Sequence, residues 1–218
     1  DLFFYVFAIG SLLAGPVCGA VAVLVLFIHW PLVFAHGLRT NNMEGALLLS
    51  YCGGIFHFLR WNGVDDDRRR HRHALIASLW FVLGFMTKFV AAFFLPFTLV
   101  LPALAWPSTR ARLLRDWSTW LKAAGVVFAL CAPWFIYSHL RFGMRFWETI
   151  LGEHVFKRMT SFLDPAHVHP WYWYFHEMWY QFTDGHVAWL IVAGLVVLLV
   201  QTVRRRWFDG RSEEHTSE

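Results

Sequence analysis

The segment GEHVFKR, residues 152–158, carries ionisable side chains whose spacing suits phosphate or metal chemistry. Glu153 lies four residues before Lys157, and His154 lies four residues before Arg158. On a helix, the two members of each pair would share a face. An imidazole and a guanidinium on one face could then bind a phosphate or a metal-bound phosphate. Ordinary contacts on a helix surface would have the same spacing, so both interpretations stay open.

Glu44 and Lys88 are isolated charged residues beside long apolar runs. Glu44 begins such a run, where the helix dipole favours an acid; acids at a membrane boundary are also commonly functional. Lys88 follows Phe85 and precedes Phe89. It either extends its ammonium group to the membrane surface or binds an anion such as phosphate.

His167 and His169 form a second pattern typical of metal ligands, with one residue between them. Two such histidines on an extended segment can bind one metal ion. The sequence offers no matching third ligand, so solvated loop histidines are the simpler interpretation.

The composition indicates a membrane protein. Of the 218 residues, 57% are hydrophobic and thirteen are Trp, which is too apolar and aromatic for an ordinary soluble domain. Cys18, Cys52 and Cys131 lie far apart in apolar segments, which predicts buried thiols rather than disulfides or a metal site. Because the chain starts at Asp1 within an apolar run, we expect an internal fragment of a longer protein.

The polar terminus, RSEEHTSE, matches the translation of a common sequencing-adapter read. We therefore expect residues 211–218 to be a non-native tail. Residues 1–210 would form one partial multi-span membrane domain.

Seven apolar runs predict an all-α fold, a polytopic transmembrane helical bundle. The runs are 2–13, 17–37, 42–61, 73–88, 90–106, 118–140 and 186–203. We expect a break at Gly15–Pro16. The stretch 73–106 is either two short helices or one bent hairpin, because Pro96 and Pro102 interrupt it.

The basic residues predict the orientation of the bundle. Twelve Lys and Arg side chains lie in or beside the loops 65–73 and 108–117 and the segment 204–206, against six elsewhere before residue 211. This asymmetry assigns the three segments to the cytoplasmic face and excludes a nucleic-acid site as their explanation. The link 141–185 is then one long external loop, whose aromatic residues predict short interfacial helices.

Three segments, in this order, resemble the lipid-carrier-dependent glycosyltransferases of the GT-C type. They are HGLRTNNMEG, GFMTKFVAA and CAPWFIYSHLRFGMRFWETILGEHVFKRMT. The group includes the aminoarabinose–lipid A transferases and the protein O-mannosyltransferases. The residues that carry the likeness are Arg39, Thr40, Glu44, Gly84, Thr87, Lys88, Pro133, Trp134, Glu153, His154 and Arg158.

The resemblance implies transfer of a sugar from a polyprenyl-phosphate donor to a lipid, glycan or protein acceptor, with inversion. Lys88 and Arg158 would bind the leaving phosphate, and Arg39 would also bind substrate. His154 would bind a divalent metal or the phosphate, and Glu44 the metal or the sugar. Relatives commonly have Asp where this chain has Glu44. Glu has the longer side chain, which changes the reach of the carboxylate.

The main catalytic acid of the family lies in the first external loop, which would precede Asp1. We therefore expect the chain alone to be inactive, with its catalytic residues unknown. The resemblance places such an enzyme in a bacterial inner membrane, with its active face periplasmic or extracellular.

Two other functions fit a polytopic membrane protein. A transporter or flippase for a lipid-linked substrate would favour charges near the membrane midplane and repeated halves. The sequence has neither pattern, since its polar residues gather near one face. A structural membrane subunit would need no shared pocket for Glu44, Lys88 and Arg158.

Overall fold

The computed structural model describes residues 1–29, 32–33, 43–157, 169–184, 187–196 and 199–200. Over these ranges the chain is helical and contains no strand, which confirms the all-α prediction. The helices are α1 (Leu2–Ala14), α2 (Pro16–Ile28), α3 (Met43–Gly63), α4 (Asp67–Thr87), α5 (Phe94–Ala105), α6 (Pro107–Arg115), α7 (Trp117–Phe142), α8 (Met144–Trp147) and α9 (Trp173–Asp184). A 3-10 turn, Ala91–Phe93, precedes α5; a π-helix, Glu148–Lys157, follows α8; and residues 188–196 are also helical.

The first two helices form a hairpin that breaks at Gly15, as predicted. Gly15 has φ 90°, a backbone conformation that favours glycine, and Pro16 starts α2. Within the hairpin a Cβ atom on Gly10 would lie 2.8 Å from the Cα atom of Gly19. The two helices therefore pack with their backbones in close contact.

The second hairpin, α3 and α4, extends the predicted helices into the basic loop. Asp66 caps α4, because its carboxylate accepts a hydrogen bond of 2.8 Å from the Arg69 amide. The predicted helix at 73–88 consequently begins at Asp67 instead, and residues 67–72 are helical. The basic residues of this segment are thus held in fixed positions on a helix.

The predicted loop 108–117 is a further correction, since most of it forms α6. Pro107 at the first position of this helix is the physical reason, because proline lacks the amide hydrogen that such a position leaves unpaired. The axes of α6 and of the preceding helical segment, Ala91–Ala105, differ by 114°.

By length and composition, α7 could cross a membrane, with 26 residues. The helical pair Ala91–Ala105 and Pro107–Arg115 would add a second crossing if it is one broken span. The helices α1 and α2 are apolar but only 13 residues long. The link after α7 contains the predicted short helices, and part of the last run, 188–196, is helical.

The main buried cluster lies where α3 to α7 meet. Trp61 is fully buried, and its ring centroid lies 5.2 Å from that of Phe58 and 5.2 Å from that of Trp120. The Phe58 and Trp120 centroids are 6.0 Å apart. Ala74 and Ala103 complete the buried part of this cluster. Large apolar side chains elsewhere on α1, α2, α5 and α7 are exposed, as expected for helices that contact lipid.

A buried ion pair adjoins this cluster. The Arg70 Nε atom lies 2.5 Å from Asp116 Oδ2, and the Trp61 Nε1–H group donates to the same oxygen at 3.1 Å. Arg70 and Asp116 are each 4% exposed. Burial favours the neutral carboxyl, but the hydrogen bonds and charge of Arg70 outweigh it and lower the pKa of Asp116. We conclude that this pair joins α3, α4 and the α6–α7 junction.

The contacts at this end confirm part of the predicted topology. Arg112 of α6 donates to the Val64 carbonyl at 2.8 Å and to Asp65 Oδ1 at 3.1 Å. The segments 62–73 and 107–117 therefore share one end of the bundle. The third basic segment, 204–206, and the expected tail, 211–218, lie outside the described residues.

The cysteines are free thiols, as expected. Cys131 is buried and Cys52 is half-buried, but Cys18 is exposed. The prediction of a buried thiol is therefore wrong for Cys18, because its side of α2 has no covering helix among the described residues.

Candidate functional site

A cavity of about 530 Å³ lies at the end of the bundle opposite the buried ion pair. It is enclosed by the start of α3, the turn after α4, the start of α5 and the π-helix. Its lining residues are Met43, Thr87, Lys88, Phe89, Val90, Ala91, Phe94, Ile150, His154 and Val155. Lys88 and His154, both expected at a phosphate site, therefore line one cavity despite their separation in sequence.

Glu44 belongs to the site through its ion pair with Lys88. The Lys88 Nζ atom donates to Glu44 Oε1 at 2.7 Å, and the two side chains are 39% and 37% exposed. Glu44 is outside the cavity lining, but its carboxylate holds the ammonium group at the cavity edge. An ion pair this exposed is weak enough for an anionic ligand to share the lysine.

The GFMTK segment explains how the lysine is positioned. Gly84 lies one turn before Lys88, and its carbonyl accepts the Lys88 amide hydrogen at 2.8 Å. The Thr87 hydroxyl donates to the Leu83 carbonyl at 2.7 Å. At Lys88 the backbone leaves the α conformation, with φ −146° and ψ 76°. The lysine is therefore the residue that ends α4, which places its side chain beside the cavity.

Gly84 has a second role in bringing α3 against α4. A Cβ atom at this position would lie 2.4 Å from the Ser50 Oγ atom of α3. The Ser50 hydroxyl donates to the Leu47 carbonyl at 2.6 Å, so it is held in place. The absence of a side chain at Gly84 thus permits the helix contact that brings Glu44 near Lys88.

Tyr51 supports the same turn and was missed by the sequence analysis. Its hydroxyl donates to the Ala91 carbonyl, just after Lys88. A signal was present, because Tyr51 lies seven residues after Glu44, two turns along the same face of α3. Two polar residues on one face of an apolar helix indicate that both side chains face the same polar region.

His154 lies on a π-helix, Glu148–Lys157, rather than on the ordinary helix that the spacing of its charged residues indicated. A π-helix has i→i+5 hydrogen bonds and is often found at functional sites. This segment supplies Ile150, His154 and Val155 to the cavity wall. Among the described residues of GEHVFKR, His154 is thus the ionisable one that lines the cavity.

Several predicted residues are not brought to the cavity by the described structure. Arg39, Arg158 and His167 lie outside the described residues. His169 stacks on Trp173, with ring centroids 3.7 Å apart and planes at 12°. The aromatic residues that line the cavity are Phe89 and Phe94, because α4 and α5 meet directly beside it; no residue of the described segment 171–180 belongs to this lining.

The described residues do not form a metal site. Among them, no group of three His, Cys, Asp or Glu side chains is placed to bind one ion. Glu44 is moreover engaged by the ammonium of Lys88, which competes electrostatically with a cation. A divalent metal at His154 and Glu44 therefore stays a prediction.

An apolar cavity of about 560 Å³ adjoins the Lys88 cavity. It lies between α4 and α7, and its lining includes Phe85, Phe93, Phe135 and Trp147. Phe89 connects the two spaces, because it lines the Lys88 cavity while its ring lies 4.7 Å from that of Phe85 and 5.7 Å from that of Phe135. The site thus combines one compartment lined by Lys88 and His154 with one apolar compartment.

Comparison with known protein families gives a match. The model of a protein family described as dolichyl-phosphate-mannose-protein mannosyltransferase matches residues 2–137, more than half of the chain. This range includes Glu44, Gly84, Thr87 and Lys88 but ends before His154. Neither the curated proteins nor the solved structures compared with the chain gave a match.

Proposed function

The chain belongs to the dolichyl-phosphate-mannose-protein mannosyltransferase family of integral-membrane glycosyltransferases, and from this membership we propose that its donor is a polyprenyl-phosphate-linked sugar. The acceptor is an envelope lipid, glycan or protein hydroxyl on the external face. The proposed location is a bacterial inner membrane, with the active face periplasmic or extracellular. Transfer proceeds with inversion at the anomeric carbon.

The observation that carries this proposal is the pairing of two unlike compartments. Lys88 and His154 line the first, where both can donate hydrogen bonds to phosphate oxygens. The second has rings on α4 and α7 and suits a hydrocarbon chain. A lipid phosphate has the same two parts, an anionic head joined directly to an apolar tail.

The proposed reaction explains why the head compartment is cationic. The acceptor oxygen forms a bond to the anomeric carbon, its proton passes to a carboxylate base, and the bond to the phosphate oxygen breaks. The electron pair of that bond leaves with the lipid phosphate, which gains negative charge. The Lys88 ammonium therefore stabilises the transition state more than the bound donor.

Glu44 supports this role by position. Its carboxylate, 2.7 Å from Lys88 Nζ, holds the flexible lysine chain when no donor is bound. A donor phosphate then binds the Lys88 ammonium group, which is already held in position, either beside Glu44 or in its place. We propose the same class of contact for Arg158 and Arg39, as the resemblance implies.

A binding comparison tests the phosphate assignment. Polyprenyl phosphate and polyprenol of equal length are titrated against the purified chain in detergent, by competition with a fluorescent polyprenyl phosphate. We expect the phosphate form to bind more tightly by about 1.5–3 kcal/mol, the size of a charge-assisted hydrogen bond. Lys88→Gln should remove most of this preference. Lys122→Gln, which changes an exposed lysine on α7, is the matched control.

Equal affinity for the phosphate and the alcohol would contradict the assignment, as would an unchanged preference in Lys88→Gln. A second measurement addresses the reaction. The full-length protein in proteoliposomes should release free polyprenyl phosphate and glycosylated acceptor from a radiolabelled donor. Donor that crosses the bilayer without cleavage would support a flippase instead.

A further inference from the structure

The helix α6, at the basic end of the bundle, is sharply bent away from the helical segment that precedes it. The chain turns at Trp106, and the axis of α6 departs by 114° from that of Ala91–Ala105. With α5 directed into the membrane, α6 lies nearly parallel to the membrane surface. Its nine residues then form a short rod across the end of the bundle.

One side of α6 is fixed to the protein. Thr109 is buried, and Leu113 packs against the cluster around Trp61. Arg112 is committed to the α3–α4 connection through the Val64 carbonyl and Asp65. These contacts determine which side of the helix faces outward.

The outer side combines two arginines with three large apolar side chains. Arg110, Leu114 and Arg115 belong to α6, and Trp106 and Trp117 flank its two ends; all five side chains are exposed. Arg110 pairs with no acidic side chain in the described part of the chain. Arg115 is 60% exposed and lies 3.5 Å from Asp116, whose carboxylate is already bonded to Arg70. Both guanidinium groups are therefore available to an outside anion.

We propose that this outer side of α6 binds the phosphate head groups of acidic phospholipids in the adjoining membrane leaflet. Guanidinium groups bind phosphate through paired hydrogen bonds. Tryptophan at both ends of the helix suits the boundary between head groups and acyl chains. Leu114 enters the acyl region between them. A soluble anion would engage the arginines but would leave these three apolar side chains in water.

Lipid titration followed by native mass spectrometry tests the proposal. The purified chain is titrated with phosphatidylglycerol, and the apparent affinity for the first bound lipid is measured. We expect Arg110→Gln to weaken it about fivefold, which corresponds to about 1 kcal/mol per basic residue at a charged lipid surface. The double variant with Arg115→Gln should lose more, and phosphatidylcholine should show no such dependence.

Arg68→Gln with Arg69→Gln is the matched control, because it removes two exposed arginines from α4 at the same end of the bundle. Its affinity for phosphatidylglycerol should stay within twofold of the unaltered chain. An equal loss in this control would show diffuse charge rather than a surface on α6. An unchanged affinity in Arg110→Gln, or displacement of the lipid by millimolar inorganic phosphate, would overturn the proposal. The single variant leaves the Arg115–Asp116 contact intact, so the test does not depend on the fold tolerating both changes.

Discussion

The two ends of the α3–α4 hairpin each carry an ion pair, but their surroundings differ. At one end, Arg70 and Asp116 lie 2.5 Å apart with side chains only 5% and 4% exposed. At the other, Lys88 and Glu44 lie 2.7 Å apart with side chains 39% and 37% exposed. The pairs are separated by most of the length of α4, roughly 25–30 Å. The two ion pairs therefore have similar interatomic distances but differ strongly in the burial of their side chains.

Hydrogen bonding reinforces this difference. Besides Asp116, Arg70 contacts Asp67 at 2.6 Å and donates to the Asp65 carbonyl at 3.1 Å. Trp61 donates to Asp116 from the core. Lys88 instead borders a cavity of about 530 Å³. The first arrangement fixes helices in place, while the second leaves room for a ligand, so burial rather than distance separates a structural pair from one that borders a cavity.

Removing the buried carboxylate should have the largest effect. Asp116→Ala would leave the Arg70 charge buried without its main partner and lower the free energy of unfolding by about 3–5 kcal/mol. Unfolding by sodium dodecyl sulfate in mixed micelles measures this change. Asp67→Ala removes the exposed partner of the same arginine and should cost less than about 1 kcal/mol. Equal costs for the two variants would show that burial does not distinguish the pairs.

Acid should remove the same contribution without a mutation. The pKa of Asp116 is lower in the folded chain, so its stabilising effect is present above the unfolded value, about 4, and is lost as pH falls through the folded value. The thermal midpoint of the unaltered chain should therefore approach that of Asp116→Asn between pH 5 and pH 2. A constant difference across this range would contradict the lowered pKa.

Sequence patterns predicted the cavity end better than the basic end. Glu44, Gly84, Thr87 and Lys88 have fixed spacing within two apolar runs, so a helical hairpin necessarily brings them together. The basic segment 108–117 was predicted as a loop rather than as a helix, because charge is its stronger compositional signal. Trp106–Pro107 was an available indication of a helix start.

The buried ion pair was not predictable by the same reasoning. Arg70 is one of several arginines in its segment, and periodicity does not show which one turns inward. Asp116 stands out only as an acid within a basic segment. The pairing depends on the angle between α5 and α6, a tertiary feature. The π-helical form of Glu148–Lys157 was not predictable from the sequence either, although His154 itself was expected at the phosphate site.

The exposed pair should affect the ligand more than the fold. In the full-length protein, Lys88→Ala should weaken transition-state binding by about 1.5–3 kcal/mol, seen as lower kcat/KM for the donor. The free energy of unfolding should change by less than about 1 kcal/mol, because the pair is partly exposed. Arg158→Ala should have a similar kinetic effect, and Arg158→Lys should recover only part of it. A large loss of unfolding free energy in Lys88→Ala would show that the exposed ion pair stabilises the fold as the buried ion pair does.

The close contact at Gly84 should affect both the free energy of unfolding and the binding of the donor. Gly84→Ala would place a methyl group 2.4 Å from Ser50 Oγ and lower the free energy of unfolding by about 1–3 kcal/mol. Adding Ser50→Ala removes that oxygen and should recover part of the loss, as a double-mutant cycle would show. Strictly additive effects would mean that the two residues do not meet. Donor binding should follow the same order, because the contact brings Glu44 near Lys88.

The smallest effect should come from Tyr51. Tyr51→Phe keeps the ring but leaves the Ala91 carbonyl without this donor, at a cost of about 0.5–1.5 kcal/mol to the free energy of unfolding. Because the turn carries Lys88, the same change should lower kcat for the donor while the apolar tail still binds. Polyprenol affinity is the control, since it depends on the neighbouring apolar cavity. If Tyr51→Phe weakened polyprenol as much as polyprenyl phosphate, the tyrosine would support the whole bundle rather than the turn. An effect confined to polyprenyl phosphate would instead show that Tyr51 acts on the turn after α4 and not on the rest of the hairpin. The end with the exposed Lys88–Glu44 pair would then tolerate changes that the end with the buried Arg70–Asp116 pair does not.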